Sequence, residues 1–197
     1  MARIAWAITG AGHLLIESYE VMAELASKPG VELSTLLSKA GVECVKMYGV
    51  WEKIGEISRD VYVDMRASAP EVGGLSRGRY NALIVSPATA NTVAKVVVGI
   101  ADTLVTNAVA QAQKGGTPVV WVPTDQTLGS MLTRLPRKGD QSRCQVLHSR
   151  NIQYGEEIQI TIRRVDTENF ERLKRMDGMT VLNHPYEIRD LVKSFLN

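Results

Sequence analysis

The chain has 197 residues, of which 45% are hydrophobic and 22% are charged, and its formal net charge is +2. This composition is ordinary for a globular domain with a sizeable core, and so small a net charge does not by itself indicate nucleic-acid binding. No apolar run approaches the ~20 residues that cross a bilayer, so we expect no membrane segment.

The amino terminus has the pattern of a strand, a glycine loop and a helix. Apolar residues 4–8 predict a buried strand, and residues 14–27 are apolar at roughly helical spacing. Between them lies Thr9-Gly10-Ala11-Gly12-His13. Such a loop offers free N–H groups to a phosphate, but any tight turn can also use glycine. His13, at the mouth of this site, donates a proton to the substrate or a hydrogen bond to the phosphate, or it only caps the helix. The chain enters the strand without a signal-peptide pattern, which predicts a cytoplasmic protein.

The second strand favours a terminal phosphate over a dinucleotide. Residues 31–37 predict a strand that ends in Ser38-Lys39, where an NAD-binding protein has an acidic residue for the ribose. The first loop also lacks the third glycine of Gly-x-Gly-x-x-Gly. A hydroxyl and a cation beside that loop suit a terminal phosphate, although Lys39 can also meet the extra phosphate of NADP.

The next stretch predicts simpler elements. Residues 41–54 predict a single second helix, and residues 61–63 predict a short strand. Residues 66–79 contain Pro70 and predict a loop. A loop of this length is either functional or a solvated face of the domain.

Residues 80–125 carry the most informative pattern. Ala82-Leu83-Ile84-Val85 predicts a buried strand, and residues 93–98 and 103–114 predict two helices. Between the strand and the first helix lies the small, polar heptad Ser86-Pro87-Ala88-Thr89-Ala90-Asn91-Thr92. It places hydroxyls, an amide and free N–H groups at the carboxyl edge of the predicted sheet, where ligands bind in open α/β proteins.

The heptad also carries a family resemblance. Pro87-Ala88-Thr89-Ala90-Asn91-Thr92 resembles the Pro-Ala-Ser-Ala-Asn-Thr signature of the flavin-dependent cysteine-decarboxylase superfamily, and residues 99–104 match its Gly-x-x-Asp-x-Leu segment. Within that superfamily the chain looks most like the archaeoflavoprotein and dihydromethanopterin reductase branch. The resemblance implies FMN as the cofactor. It implies the following cofactor-binding residues: Thr9, Gly10, Ala11, Gly12, Ser38, Ser86, Pro87, Ala88, Thr89, Asn91, Thr92, Asp102 and Thr124.

The sequence departs from the decarboxylases in two places. No histidine lies between residues 41 and 86, where those enzymes have a catalytic one. The strand predicted over residues 117–122 leads into Pro123-Thr124-Asp125, where those enzymes have the substrate motif Pro-Ala-Met-Asn. Both differences predict a different substrate. Asp125 is therefore a candidate catalytic residue together with His13, or it caps the next helix.

The remaining chain predicts an extension, over about residues 145–197, of one domain that spans residues 1–197. Alternating residues 154–164 predict a strand with an exposed face, and residues 180–182 another strand. Asp166 is predicted to cap a helix that runs to Met176, and Pro185 to open the last helix. Before this extension, Asp140 lies among a group of basic residues that either attracts polyanions or forms a solvated loop. That group is Arg134, Arg137, Lys138 and Arg143.

Alternating strands and helices predict a doubly wound, flavodoxin-like or Rossmann-like α/β fold, with helices on both faces of a parallel sheet. No metal-ligand cluster is apparent, and Cys44 and Cys144 are too few and too far apart to suggest one. The resemblance implies that reduced FMN passes a hydride to a dihydropterin such as dihydromethanopterin. One alternative is an electron carrier that is reduced by ferredoxin. A second is an enzyme similar to phosphopantothenoylcysteine decarboxylase or flavin prenyltransferase. The resemblance also implies a homo-oligomer with the flavin near subunit boundaries.

Overall fold

A six-stranded parallel sheet forms the centre of the protein. The computed structural model describes residues 1–65, 69–136 and 155–196. Every pairing within the sheet is parallel. The strands are β1 (Ala2–Ile8), β2 (Val31–Leu37), β3 (Asp60–Val63), β4 (Ala82–Ala88), β5 (Val119–Pro123) and β8 (Met179–Val181). Across the sheet their order is β3-β2-β1-β4-β5-β8.

Helices cover both faces of this sheet, and a hydrophobic core lies on each face. Successive side chains of a strand point to opposite faces, so one strand can contribute to both cores. In β1, the side chains of Ile4, Trp6 and Ile8 enter one core, and those of Ala5 and Ala7 enter the other. The first core also takes buried residues from α1 (Leu15–Ala26), α2 (Lys39–Met47), α3 (Trp51–Ile57) and α7 (Ile188–Leu196). The second takes them from α4 (Ala90–Val97), α5 (Leu104–Gly115) and α6 (Arg164–Lys174). The predicted doubly wound α/β fold is confirmed. Among the described residues, we find no helix with the length and apolar character that a membrane span requires.

The single helix predicted over residues 41–54 is wrong, because the chain forms two helices there. Gly49 lies between α2 and α3 with a φ of 66°. Glycine adopts this left-handed conformation without the steric cost that other residues meet, and it commonly ends a helix. The predicted loop over residues 66–79 also contains a 3₁₀ turn, Pro70–Gly74, and residues 66–68 lie outside the described part.

The carboxyl-terminal elements pack onto the central sheet and its helices, with β8 beside β5. The prediction that Asp166 caps a helix is wrong, because α6 begins at Arg164 and the Asp166 carboxylate instead accepts hydrogen bonds of 2.8 and 2.7 Å from the Arg163 guanidinium. Pro185 opens a 3₁₀ turn, Pro185–Glu187, that leads into α7.

A second, two-stranded sheet stands beside the carboxyl edge of the first. It pairs β6 (Gly129–Arg134) with β7 (Glu157–Ile162) in antiparallel fashion. The alternation over residues 154–164 predicts β7, but β6 was not predicted. Met131 lies opposite Ile160, and Thr133 lies opposite Ile158, so these four side chains share one face of the hairpin.

Candidate functional site

Hydrogen bonds join the loops that follow β1, β4 and β5 at the carboxyl edge of the sheet. The Thr9 side chain donates to the Pro87 carbonyl at 3.1 Å and accepts the Thr89 N–H at 2.8 Å. The Thr124 N–H donates to the Ala88 carbonyl at 3.0 Å. The three loops therefore form one wall, which is the edge at which open α/β sheets bind ligands.

A cleft of about 580 Å³ opens beside this wall, and we call it the lysine cleft. Three helices begin there: Lys39 is the first residue of α2, Asn91 is the second residue of α4, and Thr103 is the N-cap of α5. Helix amino termini carry free N–H groups and partial positive charge, so they favour an anion. The cleft is lined by Thr9, Gly10, Ser38, Lys39, Ala40, Asp64, Met65, Thr89, Asn91, Thr92, Lys95, Asp102 and Thr103.

Hydroxyl groups cap the helices at this cleft. Ser38 Oγ accepts the Gly41 N–H at 3.0 Å, and Thr89 Oγ1 accepts the Thr92 N–H at 3.3 Å. Each hydroxyl keeps a further hydrogen-bonding position, because one oxygen has a donor hydrogen and two lone pairs. The caps therefore hold these side chains at the cleft without exhausting their hydrogen-bonding capacity.

An ion pair crosses the far side of the lysine cleft. Lys95 Nζ lies 2.8 Å from both carboxylate oxygens of Asp102. The hydrogen bond from Lys95 lowers the pKa of Asp102, and partial desolvation of the carboxylate opposes this effect. Asp102 was predicted to bind cofactor, and the structure places it in the cleft wall with its carboxylate engaged by Lys95. Lys39 makes no such ion pair with a described residue.

A second cleft of about 320 Å³, the hairpin cleft, adjoins the first. Gly10 and Thr89 line both clefts, so the two adjoin at these residues, and we refer to them together as the groove. The remaining walls of the hairpin cleft are the rest of the first loop, α2, the β5–β6 loop and the inner face of the hairpin. They comprise Ala11, Gly12, His13, Cys44, Met47, Tyr48, Thr124, Asp125, Met131, Thr133, Leu135, Ile158 and Ile160.

The glycines of the first loop allow close packing against α2. A Cβ added to Gly10 would lie 2.5 Å from the Ala40 Cβ, and one added to Gly12 would overlap the Tyr48 ring. Any larger residue would therefore push the loop away from α2 and change the width of the groove. Both positions therefore require glycine for steric reasons, independently of whether their N–H groups bind a phosphate.

Three predicted site residues lie behind this groove. Ser86, Pro87 and Ala88 are buried. The Ser86 hydroxyl is hydrogen-bonded to the Ser18 hydroxyl at 2.8 Å, and its carbonyl accepts the Trp6 indole N–H at 2.7 Å. The side chain of Ser86 thus fastens the β4–α4 loop to α1, whereas Thr89, Asn91 and Thr92 line the lysine cleft.

His13 and Asp125 lie together in the hairpin cleft. Burial lowers the pKa of His13, while the negative charges of Glu17 and Asp125 raise it by less. His13 does not cap α1, because the N-cap is Leu14, which has a φ of 62° and makes no side-chain cap. Asp125 does not cap a helix either: its carboxylate accepts the Thr124 hydroxyl at 2.7 Å, and the next element is β6. Both capping alternatives are therefore wrong.

Several residues of the groove were not among the predicted site residues. The sequence does place Lys39 beside Ser38, and that adjacency was a usable signal. Tyr48 carried no comparable signal, because its role depends on a tertiary contact. Its hydroxyl donates to the Arg134 carbonyl at 2.9 Å and so ties α2 to the hairpin, and burial raises its pKa to about 12.

The predicted basic group is only partly described. Arg134 forms an ion pair with Glu157 across the hairpin, at 2.7 Å. Arg137, Lys138, Asp140 and Arg143 lie outside the described residues, as does Cys144. Cys44 is a free thiol in the hairpin cleft, and burial raises its pKa to about 11, so it stays protonated at neutral pH.

Known proteins resemble this chain over nearly its whole length. Across 94% of each protein it is 39% identical to a dihydromethanopterin reductase (acceptor) of Methanocaldococcus jannaschii. It is 36% identical to the protein of the same name from Methanosarcina mazei, with 96% of this chain and 98% of that protein covered. The crystal structure of Burkholderia xenovorans DmrB in complex with FMN, described as a cubic protein cage for redox transfer, is similar with a TM-score of 0.76 and 34% identity, and covers 99% of this chain and 95% of that one. Residues 1–193 match the Flavoprotein family, and the chain therefore belongs to that family.

Proposed function

We propose that this protein is an FMN-dependent oxidoreductase that transfers a hydride from reduced flavin to a dihydropterin such as dihydromethanopterin. The observation that carries the proposal is the groove, in which an anion-favouring cleft and a mainly apolar cleft adjoin at Gly10 and Thr89. A phosphorylated flavin has two matching parts, an anionic phosphate at one end and a flat, mainly apolar ring at the other. The similarity to FMN-bound DmrB and to two dihydromethanopterin reductases supports both the cofactor and the substrate class.

The lysine cleft fits the phosphate and the ribityl chain of FMN. Lys39 supplies a cation and Ser38 a hydroxyl, and the amino termini of α2, α4 and α5 add N–H groups and partial positive charge. Thr89 and Asn91 offer polar groups along the path from the phosphate to the ring. We assign these four residues, with Thr92, Thr103 and the backbone of Gly10, to this part of the cofactor.

The hairpin cleft fits the flat isoalloxazine ring. Ala11 and Gly12 expose little side chain on one side, and Met131 and Ile160 supply apolar surface from the hairpin. Thr124 and Asp125 are the polar groups at this end. Ligand pockets are commonly apolar with a few placed polar groups, which fix the orientation of the ligand.

The chain supplies a proton donor at this end of the groove, while the bound flavin supplies the hydride. Reducing the carbon–nitrogen double bond of a dihydropterin adds a hydride to carbon and a proton to nitrogen. We assign the proton to the His13 imidazole, which loses an N–H bond as the substrate nitrogen gains one. The Glu17 and Asp125 carboxylates, whose charges favour the protonated imidazole, help His13 to take up a new proton from solvent.

We also propose that the protein acts as a homo-oligomer with the flavin near subunit boundaries. Apolar side chains stand exposed beside the groove: Leu132 is 63% exposed and Leu128 is 58% exposed. A second copy of the chain would cover them and exclude water from the flavin. The cage described for DmrB supports this assembly. Light scattering of the purified holoprotein tests it, and a monomer with full flavin content would contradict it.

An anaerobic reoxidation experiment tests the proposed reaction. The purified protein is loaded with FMN, reduced, and offered dihydromethanopterin or oxidised ferredoxin in separate reactions. We expect the pterin to restore the oxidised flavin spectrum in stoichiometric amount, with tetrahydromethanopterin as the product. Reoxidation by ferredoxin and not by the pterin would establish the electron-carrier alternative, and a protein that takes up no FMN would contradict both.

A further inference from the structure

We propose that a separate cleft beside the flavin site, lined by His13 and His184, binds the pyrimidine edge of the pterin substrate. This inference rests on the proposed function and assigns a location to its substrate. The histidine cleft has a volume of about 280 Å³ and lies between the β5–β6 loop, the hairpin and the loop after β8. The residues that matter are His13, Thr124, Gln126, Met131, Asn183 and His184.

The histidine cleft continues the flavin groove. His13, Thr124 and Met131 line both this cleft and the hairpin cleft. A planar ligand in the histidine cleft would therefore reach the flavin ring with His13 beside the junction. This is the position that a hydride acceptor needs, because hydride transfer requires the two rings to be in contact.

The Gln126 side chain has an orientation that its surroundings determine. One of its terminal atoms lies 2.7 Å from the Pro123 carbonyl oxygen, 3.2 Å from that of Leu182 and 3.1 Å from that of Asn183. Three acceptors around one atom require that atom to be the amide nitrogen. The amide oxygen is thereby assigned, and no described residue donates a hydrogen bond to it. Gln126 thus offers a fixed acceptor to a ligand N–H group.

His184 offers the matching donor. Its Nδ1 accepts the Tyr186 N–H at 3.3 Å, so the neutral imidazole carries its hydrogen on Nε2. The loop is held in place because Glu187 accepts the N–H groups of Asn183 and His184, at 3.1 and 2.8 Å. The Asn183 side chain makes no hydrogen bond with a described residue and adds one donor and one acceptor.

This arrangement matches a neutral heterocycle with neighbouring donors and acceptors. A pterin edge presents an amino group, a ring N–H and a carbonyl, which pair with amide and imidazole groups. The described lining has no lysine or arginine to pair with a phosphate and no carboxylate to pair with a cation, so it suits a neutral ligand. Leu14, Met131 and Ile162 supply apolar surface for the faces of the ring.

Two variants test the assignment without disturbing the flavin. Asn183→Ala removes an amide that has no described partner, and His184→Asn keeps an acceptor for the Tyr186 N–H but removes the imidazole Nε2–H. We expect each to raise the KM for dihydromethanopterin about five- to tenfold, which corresponds to one lost hydrogen bond. FMN content, the rate of flavin reduction and the melting temperature should match the wild type. Gln113→Ala, an exposed amide near the opposite edge of the sheet, is the matched control and should change nothing.

Direct binding separates this inference from the proposed function. Oxidised holoprotein is titrated with 6-methylpterin, which has the ring system without the long side chain, and the change in flavin absorbance is followed. Weaker binding by both variants, with the control unaffected, would support the cleft even if no pterin were reduced. Wild-type affinity in both variants, or no binding of 6-methylpterin to any form, would overturn it. Reduction of the pterin by the wild type with an unchanged KM in both variants would overturn the cleft alone.

Discussion

Thr9 and Thr89 are joined across the sheet edge by a hydrogen bond of 2.8 Å, in which the Thr9 hydroxyl oxygen accepts the Thr89 N–H. The same hydroxyl donates to the Pro87 carbonyl at 3.1 Å, and Thr9 is 1% exposed. The side chain that the resemblance assigns to the cofactor thus holds together the two loops that bound the groove. Its contribution to flavin binding is therefore expected to be indirect.

Removing this hydroxyl tests that role. Thr9→Val keeps the shape of the side chain but leaves the Thr89 N–H without its acceptor. We expect a loss of about 1 kcal/mol in the free energy of unfolding of the apoprotein, because a partly buried donor is left unpaired. We also expect weaker FMN retention. Chemical denaturation and fluorescence titration measure the two effects.

The matched control for this change is Thr9→Ser, which keeps the hydroxyl and loses one methyl group. It should retain FMN close to the wild-type level, with only a small loss of stability. If Thr9→Val bound FMN as tightly as Thr9→Ser, the bond between the two loops would have no part in shaping the groove.

The sheet and the first wall of the site were predictable because the signals were local. The run from Ile4 to Ile8 and the heptad from Ser86 to Thr92 each combine a strand and its loop in a few neighbouring residues. Parallel strands then bring their carboxyl ends to one edge, whatever the details of the packing. Local pattern and topology together were enough to place Thr9, Ser38, Thr89 and Thr124 near one another.

The hairpin, which forms the second wall of the site, was not predictable, because its signals are not local. Strand β6 has no clear alternation, and its partner β7 begins at Glu157, so the pairing depends on a contact between distant residues. The Tyr48 hydroxyl bond to the Arg134 carbonyl is likewise tertiary. Sequence patterns also gave no sign that Ser86 would be bonded to Ser18 behind the groove.

Asn91 is exposed at the start of α4 in the lysine cleft, and we expect it to bind the flavin directly. Asn91→Ala should weaken FMN binding about two- to tenfold, the loss expected for one hydrogen bond. Because the side chain is exposed, the melting temperature of the apoprotein should change little. Unchanged affinity in a fluorescence titration would remove Asn91 from the site.

Lys39 should distinguish FMN from riboflavin, because it is the cation of the lysine cleft without a carboxylate partner among the described residues. We expect Lys39→Ala to weaken FMN binding about tenfold and to leave riboflavin binding unchanged. Raising the ionic strength should reduce the difference between the wild type and the variant, since salt screens an exposed charge. Lys39→Arg, which keeps the charge, is the control.

An equal loss of affinity for FMN and riboflavin in Lys39→Ala would contradict the assignment of the phosphate to this cleft. It would mean that the substitution had altered the groove as a whole. A second check is Lys114→Ala, which removes an exposed lysine at the end of α5 and should leave both affinities unchanged.

His13 should give the reaction a dependence on pH that the flavin alone does not have. Burial lowers its pKa below the usual value of 6.5, so the protonated fraction grows only as the pH falls below that value. We expect kcat/KM for the dihydropterin to rise as the pH falls through this range. In His13→Gln, which still binds FMN, the rate should drop about 100-fold or more and the dependence on pH should flatten, because a general acid contributes at least that factor.

The same lowered pKa also predicts that the folded state loses stability as the pH falls, whereas kcat/KM rises. The unfolded chain takes up the proton near pH 6.5, while the folded chain resists it, so the unfolded state binds more protons just below that pH. The wild type should therefore lose stability relative to His13→Gln as the pH falls through about 6.5, and the two should change in parallel well above that pH. Melting temperatures across this range measure the difference. Parallel curves throughout would mean that His13 is not buried enough to resist protonation, and the rise of kcat/KM should then be centred near 6.5 instead of below it.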